Sequence, residues 1–250
     1  MAGRDSTYFI SDLHLGARYI TDPRAHQARV VSFLESIAPR AQRLYMLGDV
    51  LDYWFEYRDV VPRGYVRFFG QLARMADAGT EILWMTGNHD IWLFDYLRDE
   101  IGIRTVDAPY IRTTLAGRNL ILAHGDRIGP QKASFRFICS LFRNRLCQRM
   151  YAALHPRLTV PFANAWSRHS RAEGGHADVR ALTDNIVATA AGLVREFPDT
   201  DYVITGHHHV VTDRPVPGTH ARAICLGDWI DNCAYALLGP DGNLTLHRYK

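Results

Sequence analysis

Short apolar runs alternate with amphipathic windows along most of this chain. Tyr8-Phe9-Ile10, Arg43-Leu44-Tyr45-Met46-Leu47, Ile82-Leu83-Trp84-Met85 and Tyr202–Thr205 are brief and dominated by apolar residues, the signature of buried strands. Between them the period changes to 3.6. Pro23 to Ala38 sets Val30, Val31, Leu34 and Ile37 on one helical face. Gly64 to Ala78 does the same with Val66, Phe69, Leu72, Ala73 and Ala76, and Gly79 follows as a C-terminal stop. Trp92–Glu100 predicts another helix, and Arg104–Val106 a further strand. Tyr110–Leu115 and Asn119–Ala123 flank Ala116-Gly117-Arg118 and predict a hairpin. Asp178–Glu196 predicts a long helix. Strands near Ala221–Leu226, Ala234–Leu238 and Asn243–Arg248 close the chain, with a hairpin through Pro240-Asp241-Gly242. Strands alternating with helices predict an α/β fold, and the hairpins predict mixed sheets.

From about Pro130 to Gly175 the pattern is different. Two basic, aromatic helices are predicted near Ala133–Phe142 and Asn144–Leu154, followed by a less regular piece with Pro156, Pro161 and Trp166. This reads as an insertion or cap, at about 130–175, on a single domain spanning 1–250. Charge marks the same stretch. From Arg127 to Arg171 there are nine Lys or Arg and no Asp or Glu; removing those nine from 29 leaves 20 basic against 26 acidic residues elsewhere. A net charge of +3 therefore hides a remainder that is net negative, and one segment carries the positive field.

Composition narrows the class. With 47% apolar residues the chain can bury a large core, which excludes disorder. No apolar run approaches the roughly 20 residues needed to span a bilayer. Met1 to Asp5 leads into a strand without an apolar signal region, so a cytoplasmic protein is expected. Cys139, Cys147, Cys225 and Cys233 lack CxxC spacing and are expected to be reduced structural thiols. Nothing in the sequence indicates an oligomeric state.

Strand ends carry the chemistry. Five strand-like runs finish in Asp12-x-His14, Gly48-Asp49, Gly87-Asn88-His89-Asp90, His124-Gly125-Asp126 and Gly206-His207-His208-His209, and six of the twelve histidines lie in these clusters. In open α/β folds, ligands gather beyond the carboxyl ends of strands. Any one cluster has an ordinary explanation: Asp12 and Asp49 as helix caps, His124 as a core histidine, the His triplet as a solvated turn. Five together point to a shared site. Carboxylate, amide and imidazole donors without a thiolate suit Mn, Fe, Zn or Ni. On an extended segment Asp12 and His14 share a side, as do His207 and His209, with His208 directed elsewhere. The donor count exceeds what one ion needs, and two ions about 3.5–4 Å apart, bridged by a carboxylate, use it fully.

The ordered motifs D-x-H, G-D, G-N-H-D, H-G-D and G-H-x-H resemble those of the calcineurin-like metallophosphoesterases. Within that superfamily the chain resembles the UDP-2,3-diacylglucosamine pyrophosphatases of lipid A synthesis over nearly its whole length. The Tyr8–Gly16 start, the run Asp49-Val50-Leu51-Asp52-Tyr53-Trp54-Phe55-Glu56-Tyr57 and the Leu141-Phe142-Arg143-Asn144 insertion are of that kind. The branch is the one with G-N-H-D rather than G-N-R-D. The resemblance implies a four-layer αββα sandwich with a helical cap and a site for two divalent metal ions, with Mn²⁺ the first choice. Asp12, His14, Asp49 and His209 would hold one ion; Asp49, Asn88, His124 and His207 would hold the other, with Asp49 bridging. His89 is expected to bind a phosphate oxygen or protonate the leaving group. Asp90 and Asp126 are expected to orient ligating histidines or the backbone.

The implied substrate is a nucleotide diphospho-lipid, cleaved to UMP and 2,3-diacylglucosamine 1-phosphate. Asn88, Lys132, Ser167 and Arg168 are candidate substrate contacts. Phe135, Phe137, Ile138, Leu141, Phe142, Leu146, Met150 and Tyr151 are candidates for the wall of an acyl-chain cleft. The basic segment suits pyrophosphate and an anionic surface, here the cytoplasmic face of the inner membrane, where peripheral attachment is expected. No nucleic acid is expected as a partner. Two alternatives stay open. One is a phosphoesterase of the same superfamily acting on soluble nucleotides or nucleic acid, whose backbone a basic segment can also track. The other is a metal-binding interaction module without catalysis.

Overall fold

The computed structural model describes residues 3–131, 133–161, 163 and 178–250. The candidates Lys132, Ser167 and Arg168, together with Trp166 and the side chain of Phe135, lie outside the described residues. Two mixed sheets form the centre. In the first the order is β11-β10-β1-β2-β3-β4, with β1 (Ser6–Ile10), β2 (Ala41–Leu47), β3 (Glu81–Met85) and β4 (Arg104–Val106) parallel and β10 (Ala234–Leu238) and β11 (Leu244–Arg248) as an antiparallel margin. In the second the order is β5-β6-β7-β9-β8, from β5 (Ile111–Leu115), β6 (Arg118–Leu122), β7 (Tyr202–Thr205), β9 (Arg222–Leu226) and β8 (Val211–Pro215).

The strands are apolar without interruption because both of their faces are buried. Tyr8 and Ile10 pack outward against helices while Phe9 packs between the sheets; Leu44 and Met46 against Tyr45 and Leu47, and Ile82 and Trp84 against Leu83 and Met85, divide the same way. In the second sheet Leu120, Leu122 and Ile204 face the first sheet, while Ile121, Val203 and Cys225 face α6 (Val179–Glu196). Helices α1 (Pro23–Ile37), α2 (Val66–Asp77) and α3 (Tyr96–Ile101) supply the outer layer of the first sheet. Three successive apolar cores thus separate four layers, as the family resemblance implies.

Local differences from the sequence reading have physical reasons. In α2 the buried face is Phe68, Phe69, Leu72 and Met75, whereas Val66 is 79% exposed, so the apolar stripe is rotated from the expected one. Helix α3 begins at Tyr96, not Trp92, because the buried Glu56 carboxylate accepts the backbone N–H groups of Phe94, Asp95 and Tyr96 at 2.6, 2.8 and 3.2 Å. This carboxylate occupies the anion-favouring end of the helix. The hairpin between β5 and β6 closes through only two residues, Ala116 and Gly117, both at positive φ, while Arg118 pairs with Leu115. The edge strand β8 has no sequence signal: of Val211–Pro215 only Thr212 is buried.

The segment after β6 forms α4 (Ala133–Arg143) and α5 (Arg145–Ala152), close to the predicted bounds. Asn144 caps α5, accepting from the N–H groups of Leu146 and Cys147. All four cysteines are free thiols, as expected. Among the described residues no helix is long and apolar enough to cross a membrane.

Candidate metal centre

Strands β1, β2 and β3 run parallel in one sheet, and β6 and β7 run parallel in the other, so each sheet gathers its carboxyl ends at one edge. The two edges meet. Asp12 Oδ1, His14 Nε2 and His209 Nε2 form one group: the carboxylate oxygen lies 3.8 Å from His14 and 3.5 Å from His209, and the two ring nitrogens are 3.2 Å apart. Asp49, His124 and His207 form a second group. There Asp49 Oδ2 lies 3.4 Å from His124 Nε2, which is 3.2 Å from Asn88 Oδ1. The same Asp49 oxygen is 3.8 Å from His14 Nε2, so Asp49 stands between the groups. Every metal-ligand candidate from the sequence is at this centre.

These side chains fit a cation better than one another. Asp12 Oδ1 is buried with no hydrogen-bond partner among the described residues, and two imidazole nitrogens converge beside it. An unpaired buried carboxylate oxygen is costly without a counter-ion. Burial pushes His14 and His207 below the ordinary histidine value, favouring the neutral form that offers a lone pair. Burial works against charge at Asp49 and His124 too, but their proximity outweighs it: the Asp49 carboxyl is held well below its usual range and His124 is lifted well above.

The backbone is strained where it delivers these ligands. Asp12, His14, Asp49, His207 and His209 all take positive φ, between 44° and 67°. Each left-handed non-glycine residue costs about 1–2 kcal/mol, and such strain concentrates at functional sites. This corrects the extended-segment reasoning. Asp12 and His14 do join one group, but through left-handed turns. His207 and His209 part to different groups, and His208 between them lines the neighbouring cavity. Two motif glycines make room: a Cβ on Gly87 would meet the Asp49 carboxylate, and one on Gly206 would meet the Asp12 carboxylate.

His89 is 10% exposed, with Nδ1 3.1 Å from the Asp52 carbonyl oxygen and Nε2 4.0 Å from Asp49 Oδ2. Its ring also lies within 4.8 Å of ligand atoms of His14 and Asp49. Asp90 orients backbone, as expected: its Oδ1 accepts from Gly87 N–H at 2.7 Å and Asp49 N–H at 3.2 Å, and its Oδ2 from Val50 N–H and Trp84 Nε1–H, both at 2.9 Å. Burial, then the nearby Asp49 charge, push its carboxyl up to about 6. Asp126 faces Arg143 Nη2 at 3.8 Å rather than a ligating ring.

Two carboxylates at the centre were not among the sequence candidates. Asp52 Oδ1 lies 3.4 Å from His14 Nδ1 and 3.5 Å from His89 Nδ1, orienting both rings. Asp228 Oδ2 lies 3.6 Å from His209 Nδ1, and its Oδ1 is fixed by the N–H groups of Ile230, Asp231 and Asn232. The signal was present: Gly227-Asp228 follows β9 just as Gly48-Asp49 follows β2.

Comparison with known proteins identifies the family of the chain. Residues 6–211 match the model of the calcineurin-like phosphoesterase family. The chain belongs to that family. It is 40% identical over 248 residues to the UDP-2,3-diacylglucosamine hydrolase of Porphyromonas gingivalis, covering 94% of each chain. The proteins of the same name from Nitrosococcus oceani and Haemophilus influenzae are 30% and 28% identical, covering 95% and 92% of this chain and 92% and 93% of theirs. Membership of the calcineurin-like phosphoesterases makes this chain a metal-dependent hydrolase, and that chemistry implies divalent metal ions.

The candidate centre borders a cavity of about 720 Å³. Asn88, His89 and His207 line it, together with Ile138 and Phe142 of α4 and Ile186 and Ala190 of α6. Helices α4 and α5 rest on an aromatic platform. Trp92 donates from Nε1 to the Phe142 carbonyl at 2.9 Å and stacks on Tyr151 at 5.0 Å, and the Tyr53 and Tyr151 hydroxyls are 3.3 Å apart. Of the proposed cleft residues, Ile138, Phe142 and Tyr151 do line the cavity, whereas Phe137, Leu141, Leu146 and Met150 are exposed.

Proposed function

We propose that the chain hydrolyses the pyrophosphate bond of UDP-2,3-diacylglucosamine, giving UMP and 2,3-diacylglucosamine 1-phosphate for lipid A synthesis. The observation that carries this reading is the continuity of the metal centre with a large, mostly apolar cavity under a helical cap. A phosphoester site needs the first; a diacylated sugar needs the second. The names of the relatives support the same substrate.

In this reading Asp12, His14, Asp49 and His209 hold one divalent ion, and Asp49, Asn88, His124 and His207 hold the other. The oxygen and imidazole donors suit Mn, Fe, Zn or Ni, and the family resemblance makes Mn²⁺ the first choice. Bound there, the ions supply a water of lowered pKa and neutralise charge on the phosphoryl oxygens. The chain's own groups do the rest. Asp52 and Asp228 hold the ligating rings in orientation. His89 Nδ1, hydrogen-bonded to the Asp52 carbonyl, leaves Nε2 for a phosphoryl oxygen or for the proton of the leaving group. Asn88 joins metal and phosphate contact, and Lys132, Ser167 and Arg168 remain proposed substrate contacts. The 130–175 segment acts as the cap of a single 1–250 unit.

The outer face of that cap fits an anionic membrane surface. Phe137, Leu141, Leu146, Met150, Leu154 and Leu158 are exposed there, and Arg145 and Arg149 are exposed beside them. Exposed apolar bulk bordered by cations suits a lipid interface on the cytoplasmic face. An Mn²⁺-dependent assay comparing UDP-2,3-diacylglucosamine in anionic vesicles, a lipid-free UDP-sugar and an aryl phosphodiester tests the reading. The lipid is expected to be strongly preferred. Arg145→Glu with Arg149→Glu is expected to weaken vesicle binding, at on the order of 1 kcal/mol per charge, while the soluble diester is turned over as before. Equal rates on lipid-free substrates or DNA contradict the substrate, and unchanged vesicle binding contradicts the membrane-facing role of this surface.

A further inference from the structure

Arg143 belongs to the basic run, yet the fold turns it inward. Its side chain is 14% exposed and lines the cavity. Nε lies 3.1 Å from Asp107 Oδ1, and Nη2 lies 3.4 Å from the Gly87 carbonyl oxygen and 3.8 Å from Asp126 Oδ2. Nη1 is buried and has no hydrogen-bond partner among the described residues. Asp107 does not serve Arg143 alone. The same Oδ1 accepts from Thr86 Oγ1 at 2.9 Å and lies 2.8 Å from Arg127 Nη2 in an ion pair without hydrogen-bond alignment, and Arg127 Nε has no hydrogen-bond partner among the described residues. Two guanidiniums thus share one carboxylate oxygen, and donor capacity is left over beside the turn that carries Asn88.

We propose that Arg143 binds the second phosphoryl group of a diphosphate substrate, the one that departs. The assignment rests on the proposed hydrolysis. Asn88 belongs to the group that receives the attacked phosphorus; Arg143 reaches the residue before it, from the cap side of the cavity. When the oxygen of water bonds to the attacked phosphorus, the bridging P–O bond breaks, and its electron pair leaves on the bridging oxygen of the second phosphate. That group gains negative charge as it departs. A guanidinium offers it paired N–H donors in a planar fork, a match that Lys lacks. Asp107 is the positioning residue: it fixes Nε and leaves the guanidinium with unpaired donor capacity. The cap then does more than cover lipid, because it delivers a group to the phosphates.

The test compares two soluble substrates on the full chain loaded with Mn²⁺: a lipid-free nucleoside diphosphate sugar and bis(4-nitrophenyl) phosphate, which has one phosphorus. Arg143→Ala is expected to lower kcat/KM on the diphosphate by roughly 10²-fold, the scale of losing one well-placed donor to developing charge. The single-phosphorus ester is expected to be nearly unaffected. Added guanidinium ion is expected to restore part of the diphosphate rate in Arg143→Ala. Arg143→Lys, which keeps the charge and disturbs the cap less, is expected to show the same selective loss. Equal losses on both substrates, or no response to guanidinium, overturn the proposal and leave Arg143 as a fastening between cap and core. A parent enzyme that cleaves the diphosphate sugar but not UDP-2,3-diacylglucosamine contradicts the proposed substrate instead, while the two-substrate comparison still decides the role of Arg143.

Discussion

Asp49→Asn is expected to lower turnover by on the order of 10³, the upper end of what losing one electrostatic stabiliser costs. Asp49 is 2% exposed and its Oδ2 lies within 3.4 to 4.0 Å of His124, His14 and His89, which places it between the two groups. A neutral amide offers one oxygen where two are used and removes the negative charge shared by both groups. The fold is expected to survive. Asn is among the few residues that accept the φ of 53° found here. Its side-chain oxygen can also keep the 2.9 Å hydrogen bond from His89 N–H. Elemental analysis beside rate measurement checks the claim: metal content should fall together with rate. Near-parental turnover with both ions retained would falsify the bridging role.

The other large effect concerns His89, which the family resemblance sets apart from the ligands beside it. His89→Ala is expected to reduce turnover by roughly 10²–10⁴, the usual contribution of a positioned acid or base. Metal content should stay close to normal, because the site keeps Asp12, His14, Asp49, Asn88, His124, His207 and His209. The structure makes this a sharp comparison, since His89 also lies within ligand range of His14 and Asp49. Loss of one ion in the variant would make His89 a ligand; an unchanged rate would make it a structural partner of Asp52.

Much of the fold was legible because its strands are buried on both faces. Ile82-Leu83-Trp84-Met85 can only be a short buried element, and it is β3 between two apolar layers. The ligands were legible because Asp, Asn and His follow such runs directly. What failed depended on tertiary detail. No local pattern says that Glu56, far from the helix it caps, delays α3 to Tyr96. The face of α2 turns on Phe68 and Met75 finding the core while Val66 does not. Strand β8 lies at an edge with little buried surface, so its residues carry no alternation, and Pro215 at its end is tolerated there. Asp228 was missed although its Gly-Asp pair repeats the pattern at Asp49. Arg143 shows a further limit: a run of positive charge gives the sign of a segment, and only the fold tells which of its cations face the site.

Single turnover of UDP-2,3-diacylglucosamine in ¹⁸O-water tests the central claim most directly. The motifs at the centre offer no Cys nucleophile and no Ser–His pair, so water itself is expected to attack phosphorus without a phosphoryl-enzyme intermediate. With Mn²⁺ present, both products should form and be weighed by mass spectrometry. The account predicts one ¹⁸O in UMP and none in 2,3-diacylglucosamine 1-phosphate. Label in the lipid product, or no cleavage of this substrate by metal-loaded protein, would contradict it.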